Sequence, residues 1–281
     1  MSDVDGQRVG GQRDEQSLVT AVREHYARIA TKGSSCCGPS SCGCSTAETS
    51  TVTLDVGARG AAPAGADLGL SCGIPLAHLN LQPGERLLDL GSGSGIDVFV
   101  AARALGPQGR AIGVDMTPEM VERARAIAER EGFTNVEFLL GRLEAVPLPD
   151  ASIDAVTSNC VLNLVPDKTR VYHEVARVLK PGGRLVISDI LLSAPLPPAI
   201  ASDVLAYAGC ISGAALREDC FAGLRAAGLT EIEVLSDVDA LGMLDPGGHQ
   251  DAESVVTRAG ASFSDVDGLV RSVTYRARKP R

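Results

Sequence analysis

Residues 85–116 read ERLLDLGSGSGIDVFVAARALGPQGRAIGVDM, and this stretch decides the fold. It begins with the apolar run ERLLDL, which predicts a buried strand, and continues through a glycine turn at residues 91–95. The segment IDVFVAARAL then has the pattern of a helix, and RAIGVDM predicts a second buried strand. Two buried strands joined by a crossover helix predict a parallel pair within an α/β sheet.

The same alternation of apolar runs and helical patterns extends over most of the chain. Thr117 and Pro118 predict a helix start, with Thr117 as N-cap and Pro118 in the first helical position. Pro75 predicts a short helix. The strands are short apolar runs, which is typical of a parallel sheet covered on both faces. The other predicted helices span residues 14–31, 118–132, 168–183 and 205–229, and the other predicted strands span residues 136–141, 153–159, 184–190, 231–237 and 270–279.

Composition limits the classes of partner. The chain has 281 residues, of which 44% are hydrophobic, and this supports a globular core. Its 26 basic and 35 acidic residues give a net charge of −9, which argues against a nucleic-acid partner. The N-terminus has no apolar signal region, and no apolar run reaches the length of a membrane span. We therefore expect a cytoplasmic protein with no membrane partner.

The glycine turn and two acids suggest the kind of ligand. Asp115 ends the second strand 24 residues after Gly91, near the spacing at which an acid meets ribose hydroxyls in such folds. The turn reads G-x-G-x-G rather than the dinucleotide pattern G-x-G-x-x-G, and Asp89 precedes it. A carboxylate at that place repels a pyrophosphate and favours a cation.

These motifs carry a resemblance. LLDLGSGSG, VDM and the later KPGGRLVISD are similar to class I S-adenosylmethionine-dependent methyltransferases over roughly residues 76–235. The resemblance implies a Rossmann-like doubly wound α/β sheet of seven strands with the last strand antiparallel. It also implies three parts of the chain: an N-terminal helix and cysteine-rich loop at 1–75, a donor-binding core at 76–195, and a C-terminal acceptor and cap region at 196–281.

The class I resemblance also implies which residues bind the methyl donor. Gly91 and Gly93 correspond to glycines that line the methionine moiety, Asp115 to the acid that binds the ribose hydroxyls, and Met116 to a residue that packs on adenine. The segment GRLEAVP has Arg142 where the family often has an acid near the adenine amino group. The full set of expected donor-binding residues is Asp89, Gly91, Ser92, Gly93, Asp115, Met116, Leu143, Glu144 and Asn159.

Eight cysteines in a chain without a secretion signal favour reactive or metal-binding thiols over structural disulfides. Four of them lie in KGSSCCGPSSCGCSTAETST, which is too rich in Gly, Ser, Thr and Pro for a regular element. Zinc-finger spacing is absent from the sequence. Cys160 directly follows the predicted strand IDAVTSN, and ligands of open α/β sheets bind outside the carboxyl ends of the strands. The eight are Cys36, Cys37, Cys42, Cys44, Cys72, Cys160, Cys210 and Cys220.

The contexts of three cysteines narrow the resemblance further. SNCVLNLVPDK around Cys160, LSCG around Cys72 and AGCISGAAL around Cys210 resemble the arsenite methyltransferases. That resemblance implies Cys160 and Cys210 as the binding pair for trivalent arsenic, with Cys72 as a further thiol ligand. The resemblance also implies a role in thiol exchange, ligand capture or disulfide formation for Cys72 and for one of the pair Cys36 and Cys37, of which Cys36 is preferred. The implied substrates are arsenite and methylarsenite, and thioredoxin or glutathione is the implied reductant.

Trivalent arsenic is a soft, thiophilic centre that three thiolates can hold, leaving its lone pair as a nucleophile. Cys220 lies on an apparently amphipathic helix and is expected to be a packing residue. Two other functions stay open at this point. One is a methyltransferase of the same fold that acts on a small organic metabolite, and the other is a thiol-rich protein that sequesters arsenite or a metal without catalysis.

Overall fold

The computed structural model describes residues 15–32, 62–68, 73–201, 213–241, 256–257 and 262–281. The longer helices are α1 (Glu15–Lys32), α2 (Ile96–Leu105), α3 (Pro118–Arg130), α4 (Lys168–Val178) and α6 (Arg217–Ala226), with the short α5 at Pro198–Ala201. Short 3-10 helices occupy Pro75–His78, Leu143–Ala145, Leu162–Leu164 and Phe263–Asp265. Within these described ranges, no helix combines the length and apolarity needed to cross a bilayer.

The strands form one mixed sheet. They are β1 (Arg86–Leu90), β2 (Arg110–Asp115), β3 (Val136–Leu140), β4 (Ile153–Asn159), β5 (Leu179–Leu192), β6 (Ala215–Leu216), β7 (Thr230–Asp239) and β8 (Val270–Arg278).

Seven of these strands follow one another in the order β3-β2-β1-β4-β5-β8-β7. β1 to β5 are parallel, and β8 runs antiparallel to both β5 and β7. The predicted doubly wound sheet with an antiparallel last strand is therefore confirmed. An eighth strand, the two-residue β6, pairs with the far end of β5.

Two predicted helices include residues that form strands instead. The helix predicted over residues 168–183 ends at Val178, because Leu179 already belongs to β5 and pairs with Ile153 of β4. The helix predicted over residues 205–229 includes Ala215 and Leu216, which instead form β6. Residues 205–212 lie outside the described residues, and α6 covers Arg217–Ala226 of the rest. In both places pairing with a distant strand overrides a local helical pattern. The division of the chain at residues 75 and 195 stays a prediction.

Apolar side chains cover both faces of the sheet. On β1, Leu87 packs in a cluster with Phe99 of α2, and Leu88 packs in a separate cluster with Val175 of α4. Neighbouring residues of a strand point to opposite faces, so the run RLLDL is buried on both sides. Because apolar clusters cover both faces, the position of β1 is fixed, and with it the position of the glycine turn that follows its carboxyl end.

Arg184 of β5 ties the segment that leads into β1 to the middle of the sheet. Its guanidinium donates to the backbone oxygens of Leu79 at 2.6 Å and Asn80 at 3.1 Å, and to both carboxylate oxygens of Glu85 at 2.8 and 2.7 Å. Burial raises the pKa of Glu85, but the hydrogen bonds and charge of Arg184 outweigh it and leave the pKa below its usual value. The entry into β1 is thus held by a partly buried ion pair.

Arg184→Lys is expected to lower the free energy of unfolding by about 1–2 kcal/mol, because lysine keeps the charge but loses the planar fork. Urea unfolding at pH 7 measures the difference. The loss shrinks as pH falls through the folded-state pKa of Glu85, since the depressed pKa contributes stability only above it. Arg110→Lys, whose pair with Glu137 is exposed, is the control and costs less than about 0.5 kcal/mol.

Candidate functional site

A pocket lies at the carboxyl ends of β1, β2 and β4. The sheet order reverses there, because β1 pairs with β2 on one side and with β4 on the other. Nine sequence-predicted donor-binding residues and Cys160 all line this pocket. The nine are Asp89, Gly91, Ser92, Gly93, Asp115, Met116, Leu143, Glu144 and Asn159.

The glycine turn needs glycine for conformation and for space. Gly91 has φ +69° and Gly93 has φ +52°, values that other residues rarely adopt. A Cβ atom on Gly91 lies only 2.4 Å from Cγ1 of Val161, so the turn passes against the segment that follows β4. At Gly93 the nearest atom to such a Cβ is Sδ of Met120 at 4.0 Å. The turn is therefore packed at Gly91 and open to the pocket at Gly93.

Asp115 at the end of β2 is fixed by backbone donors. Its Oδ2 accepts from the N–H of Gly93 at 2.9 Å and its Oδ1 accepts from the N–H of Thr117 at 2.8 Å. Burial raises the pKa of Asp115, and these hydrogen bonds oppose the rise. Thr117 is the N-cap of α3, as predicted, but its side chain makes no capping bond. The carboxylate thus links the glycine turn to α3 and keeps lone pairs for a ligand.

Three of the five carboxylates that line this pocket belong to β1, α2 and β2. Asp89 is 3% exposed and Asp97, in the first turn of α2, is 4% exposed. Burial and the nearby charges of Asp97 and Asp115 raise the pKa of Asp89 well above its usual value. A cation among these groups relieves their mutual repulsion. Sequence reasoning missed Asp97, although an acid directly after a glycine turn was a readable signal.

Ser92 and Asn159 have different surroundings in the pocket. The Ser92 hydroxyl is buried and has no hydrogen-bond partner among the described residues, which leaves it available to a ligand. The Asn159 amide donates to Gly73 O at 2.9 Å and to Asp97 at 3.5 Å. Asn159 therefore already connects the end of β4 to the segment that leads into β1.

The segment after β3 supplies the opposite part of the lining. Leu143 and Glu144 are both buried, and Glu144 pairs with Arg142 at 2.5 Å. Glu144, one of the residues predicted to lie near adenine, therefore lines the pocket with the Arg142 cation against its carboxylate. Met116 directly follows Asp115 and packs with Val22 and Leu164.

Cys160 stands at the junction of the pocket with the chain after β4. Its φ is +57°, in the left-handed region that non-glycine residues seldom adopt and that is often found at functional sites. Its N–H donates to Ser188 O at 2.9 Å, so β5 holds the turn. The Cys160 sulfur is disulfide-bonded.

Four other thiols are predicted to take part in the chemistry of the site. Cys36, Cys37, Cys72 and Cys210 lie outside the described residues. In the described ranges, no group of three His, Cys, Asp or Glu side chains could hold a metal ion. Cys220 is 2% exposed and contacts the hydroxyls of Tyr172 and Tyr275 at 3.3 and 3.4 Å, so its predicted packing role is confirmed.

Asp189 of β5 supports the segment after Cys160. Its carboxylate accepts from the N–H groups of Leu162 and Ile190, each at 2.9 Å, and from the Asn163 amide at 2.8 Å. It is 1% exposed, and burial raises its pKa to about 7 against the lowering by these bonds and by Lys168. Hydrogen bonds to the buried carboxylate of Asp189 thus hold the segment that directly follows Cys160.

Gly91→Ala is expected to lower the free energy of unfolding by about 2–4 kcal/mol, because the methyl group overlaps Val161 in addition to the strain of positive φ. Gly106→Ala is the control: Gly106 has φ +68° but nothing within 4 Å of its Cβ position. That variant costs only the conformational strain, about 1 kcal/mol. If urea unfolding gives equal losses of unfolding free energy for the two variants, the overlap with Val161 is contradicted. Adding Val161→Ala to Gly91→Ala is expected to recover part of the lost stability.

Asp189→Asn is expected to reveal the raised pKa through the pH dependence of stability. Between the unfolded value near 3.8 and the folded value of about 7, the folded wild type binds the extra proton, so its stability falls as pH rises. The advantage of wild type over Asp189→Asn in chemical unfolding therefore decreases from pH 4 to pH 7 by up to about 1.4 kcal/mol per pH unit. A constant difference contradicts the assignment.

Comparison with known proteins adds to this geometry. The chain is 42% identical over 241 residues to an arsenite methyltransferase of Halobacterium salinarum, covering 82% of this chain and 62% of that protein. It is 42% identical over 164 residues to an arsenite methyltransferase of Aquipseudomonas alcaligenes, covering 56% and 47%. The chain thus spans less than two thirds of these relatives. The resemblance read from the cysteine contexts is confirmed.

A solved structure and a family model agree with the fold. An arsenic (III) S-adenosylmethionine methyltransferase from Chlamydomonas reinhardtii superposes with a TM-score of 0.57 at 32% identity, over 71% of this chain and 64% of that one. The family model described as a methyltransferase domain matches residues 81–259, more than half of the chain. The protein with this acid-lined pocket therefore belongs to the family of methyltransferase domains.

Proposed function

We propose that the protein transfers methyl groups from S-adenosylmethionine to trivalent arsenic held by cysteine thiolates, as an arsenic-detoxifying enzyme. One observation carries the proposal: the sulfur-bearing Cys160 lines the same pocket as the glycine turn and the carboxylates Asp89 and Asp115. Once its disulfide is reduced, Cys160 would be a thiolate ligand for a soft acceptor beside an acidic site for a cationic donor. The substrates in this proposal are arsenite and methylarsenite.

The lining of the pocket fits the donor. Asp89, Asp97 and Asp115 favour a molecule with a positively charged sulfur and an ammonium group. Asp115 would hold the ribose hydroxyls, and Met116, Leu143 and Glu144 the adenine ring. Gly91, Gly93, Ser92 and Asn159 would contact the methionine part. When bound, S-adenosylmethionine supplies a methyl group on a sulfonium sulfur, a good leaving group for a soft nucleophile.

The acceptor side of the proposal rests on thiolate chemistry. Cys160, Cys210 and Cys72 would hold trivalent arsenic through three sulfurs, with its lone pair free to form the new arsenic–carbon bond. An arsenic lone pair has no proton to lose, so the residues need only bind and orient the substrate. The pocket accordingly needs no histidine as a general base.

Electron balance requires a reductant. Formation of the arsenic–carbon bond with the lone pair raises arsenic from the trivalent to the pentavalent state. Two thiols restore the trivalent state by giving two electrons and forming a disulfide. Cys36 or Cys37 with Cys72, recharged by thioredoxin or glutathione, are the proposed source, and the disulfide at Cys160 must likewise be reduced before that thiolate binds. This chemistry needs a reducing compartment, which supports a cytoplasmic location.

The decisive experiment measures methyl transfer from labelled S-adenosylmethionine to arsenite with excess thiol. Wild type is expected to give methylated arsenic, and Cys160→Ser and Cys210→Ser are each expected to lose at least about 99% of this activity, because a hydroxyl is a poor ligand for a soft centre. Cys220→Ser is the matched control, since Cys220 is buried in the hydrophobic core and does not line the pocket.

Equilibrium dialysis measures the binding of S-adenosylmethionine and separates this proposal from an organic-acceptor methyltransferase and from a sequestering protein. If the protein binds S-adenosylmethionine and transfers its methyl group to an organic acceptor, and if this transfer persists in Cys160→Ser, the arsenic assignment is contradicted. Arsenite binding without any binding of S-adenosylmethionine contradicts catalysis and leaves a sequestering protein.

A further inference from the structure

Two segments outside the sheet form part of the pocket wall. One is α1, and the other is the stretch at residues 62–68. Their contributions to the lining are Val19, Val22 and Tyr26 from the first and Ala66, Asp67 and Leu68 from the second. The sequence pattern predicted the helix but gave no sign that it reaches the site. The contacts that hold these two segments beside the pocket come from α3.

Arg123 of α3 binds both segments. Its Nη1 donates to Ala30 O, near the C-terminal end of α1, at 2.8 Å, and its Nε donates to Gly65 O at 3.1 Å. The donors of a guanidinium are fixed in one plane, so a single arginine can serve two carbonyls at once. One side chain thus joins both wall segments to the helix that begins directly after Asp115 and Thr117.

Apolar packing beside Arg123 supports the same arrangement. Met120 lies one helical turn before Arg123 and is 1% exposed. It packs with Ile29 and Ala30 of α1 and with Leu68 of the second segment, and it lines the pocket. The polar bonds of Arg123 and the apolar contacts of Met120 therefore hold the two segments at one edge of the pocket.

The position of α1 affects how much water reaches the carboxylates. Val22 is 2% exposed and packs with Leu164 in a cluster that also includes Met116 and Cys160. An apolar cover lowers the local dielectric constant, and the attraction between a cationic ligand and buried carboxylates grows as water is excluded. A displaced α1 weakens this attraction without touching any carboxylate.

We propose that Arg123 is a positioning residue for the methyl donor: it fastens α1 and residues 62–68 over the acidic pocket and so strengthens the binding of S-adenosylmethionine. The inference rests on the proposed function, since it assumes that this donor occupies the pocket. It concerns the donor affinity and makes no assumption about the acceptor.

Arg125 offers a matched control on the same helix. Its guanidinium also donates two hydrogen bonds to a backbone carbonyl, but that carbonyl is Phe138 O of β3. Arg130 is a partial control, because it donates to Ala64 O and holds only the second segment. Comparing the Arg123 variant with the Arg125 and Arg130 variants therefore separates the positioning of the two wall segments from the general stability of α3.

The test is titration calorimetry of the full chain with S-adenosylmethionine. Arg123→Ala is expected to raise the Kd about 5- to 20-fold, as expected for one or two lost hydrogen bonds, with Arg123→Lys between it and wild type. Arg125→Ala is expected to keep the wild-type Kd. In Arg123→Ala, hydrogen exchange of the α1 amides is expected to speed up while that of β1 stays unchanged.

A double-mutant cycle tests the route of the effect. If Arg123 acts through α1, Val22→Ala weakens donor binding less in the Arg123→Ala background than in wild type. A wild-type Kd in Arg123→Ala, or an equal loss in Arg125→Ala, overturns the positioning role. Failure of wild type itself to bind S-adenosylmethionine instead overturns the proposed function, so the two failures are distinct. If Arg123→Ala does not fold, Arg123→Lys carries the same comparison.

Discussion

The parallel pairing of β1 with β4 is the constraint on which the pocket depends. Leu90 pairs with Ser158 at the last step of the ladder, and the Ser158 hydroxyl donates to Leu90 O at 3.0 Å. The two strands therefore end side by side, so the glycine turn after one strand meets Val161 after the other. Because the sheet order reverses at this pair, the chain leaves the two ends in different directions and a cleft opens between them.

Charge within this cleft opposes folding and favours binding. Asp89, Asp97 and Asp115 lie close together in a site that is mostly screened from water, and burial raises the pKa of Asp89 and of Asp115. Burying such groups without a cation costs folding free energy. A cationic ligand recovers part of that cost when it binds. Part of the free energy of binding therefore comes from relief of the repulsion between these carboxylates, and a sulfonium donor has the charge that provides it.

Bonds from charged side chains to backbone groups hold the irregular parts of the site. Asp189 fixes the turn after Cys160, Arg184 fixes the entry to β1, and Arg123 fixes α1 and the stretch at residues 62–68. Loops and segment ends have peptide groups that no strand or helix satisfies, and charged partners bind them strongly. Each of these side chains belongs to a regular element, so the regular elements determine where the irregular ones lie. The left-handed Cys160 shows the same dependence, since its N–H is held by β5.

The sequence alone determined the elements whose signals are local. The predicted helix Ile96–Leu105 and strand Ile153–Asn159 match the structure at both ends, because glycine turns and short apolar runs fix their limits. The residues predicted for the donor site from motifs around the strand ends also line one pocket, while their roles toward the donor stay predictions. The tertiary structure alone decided that α1 borders the pocket and that Leu179 and Ala215 are in strands. These features depend on contacts between residues far apart in sequence, and such contacts leave no local period or spacing in the chain.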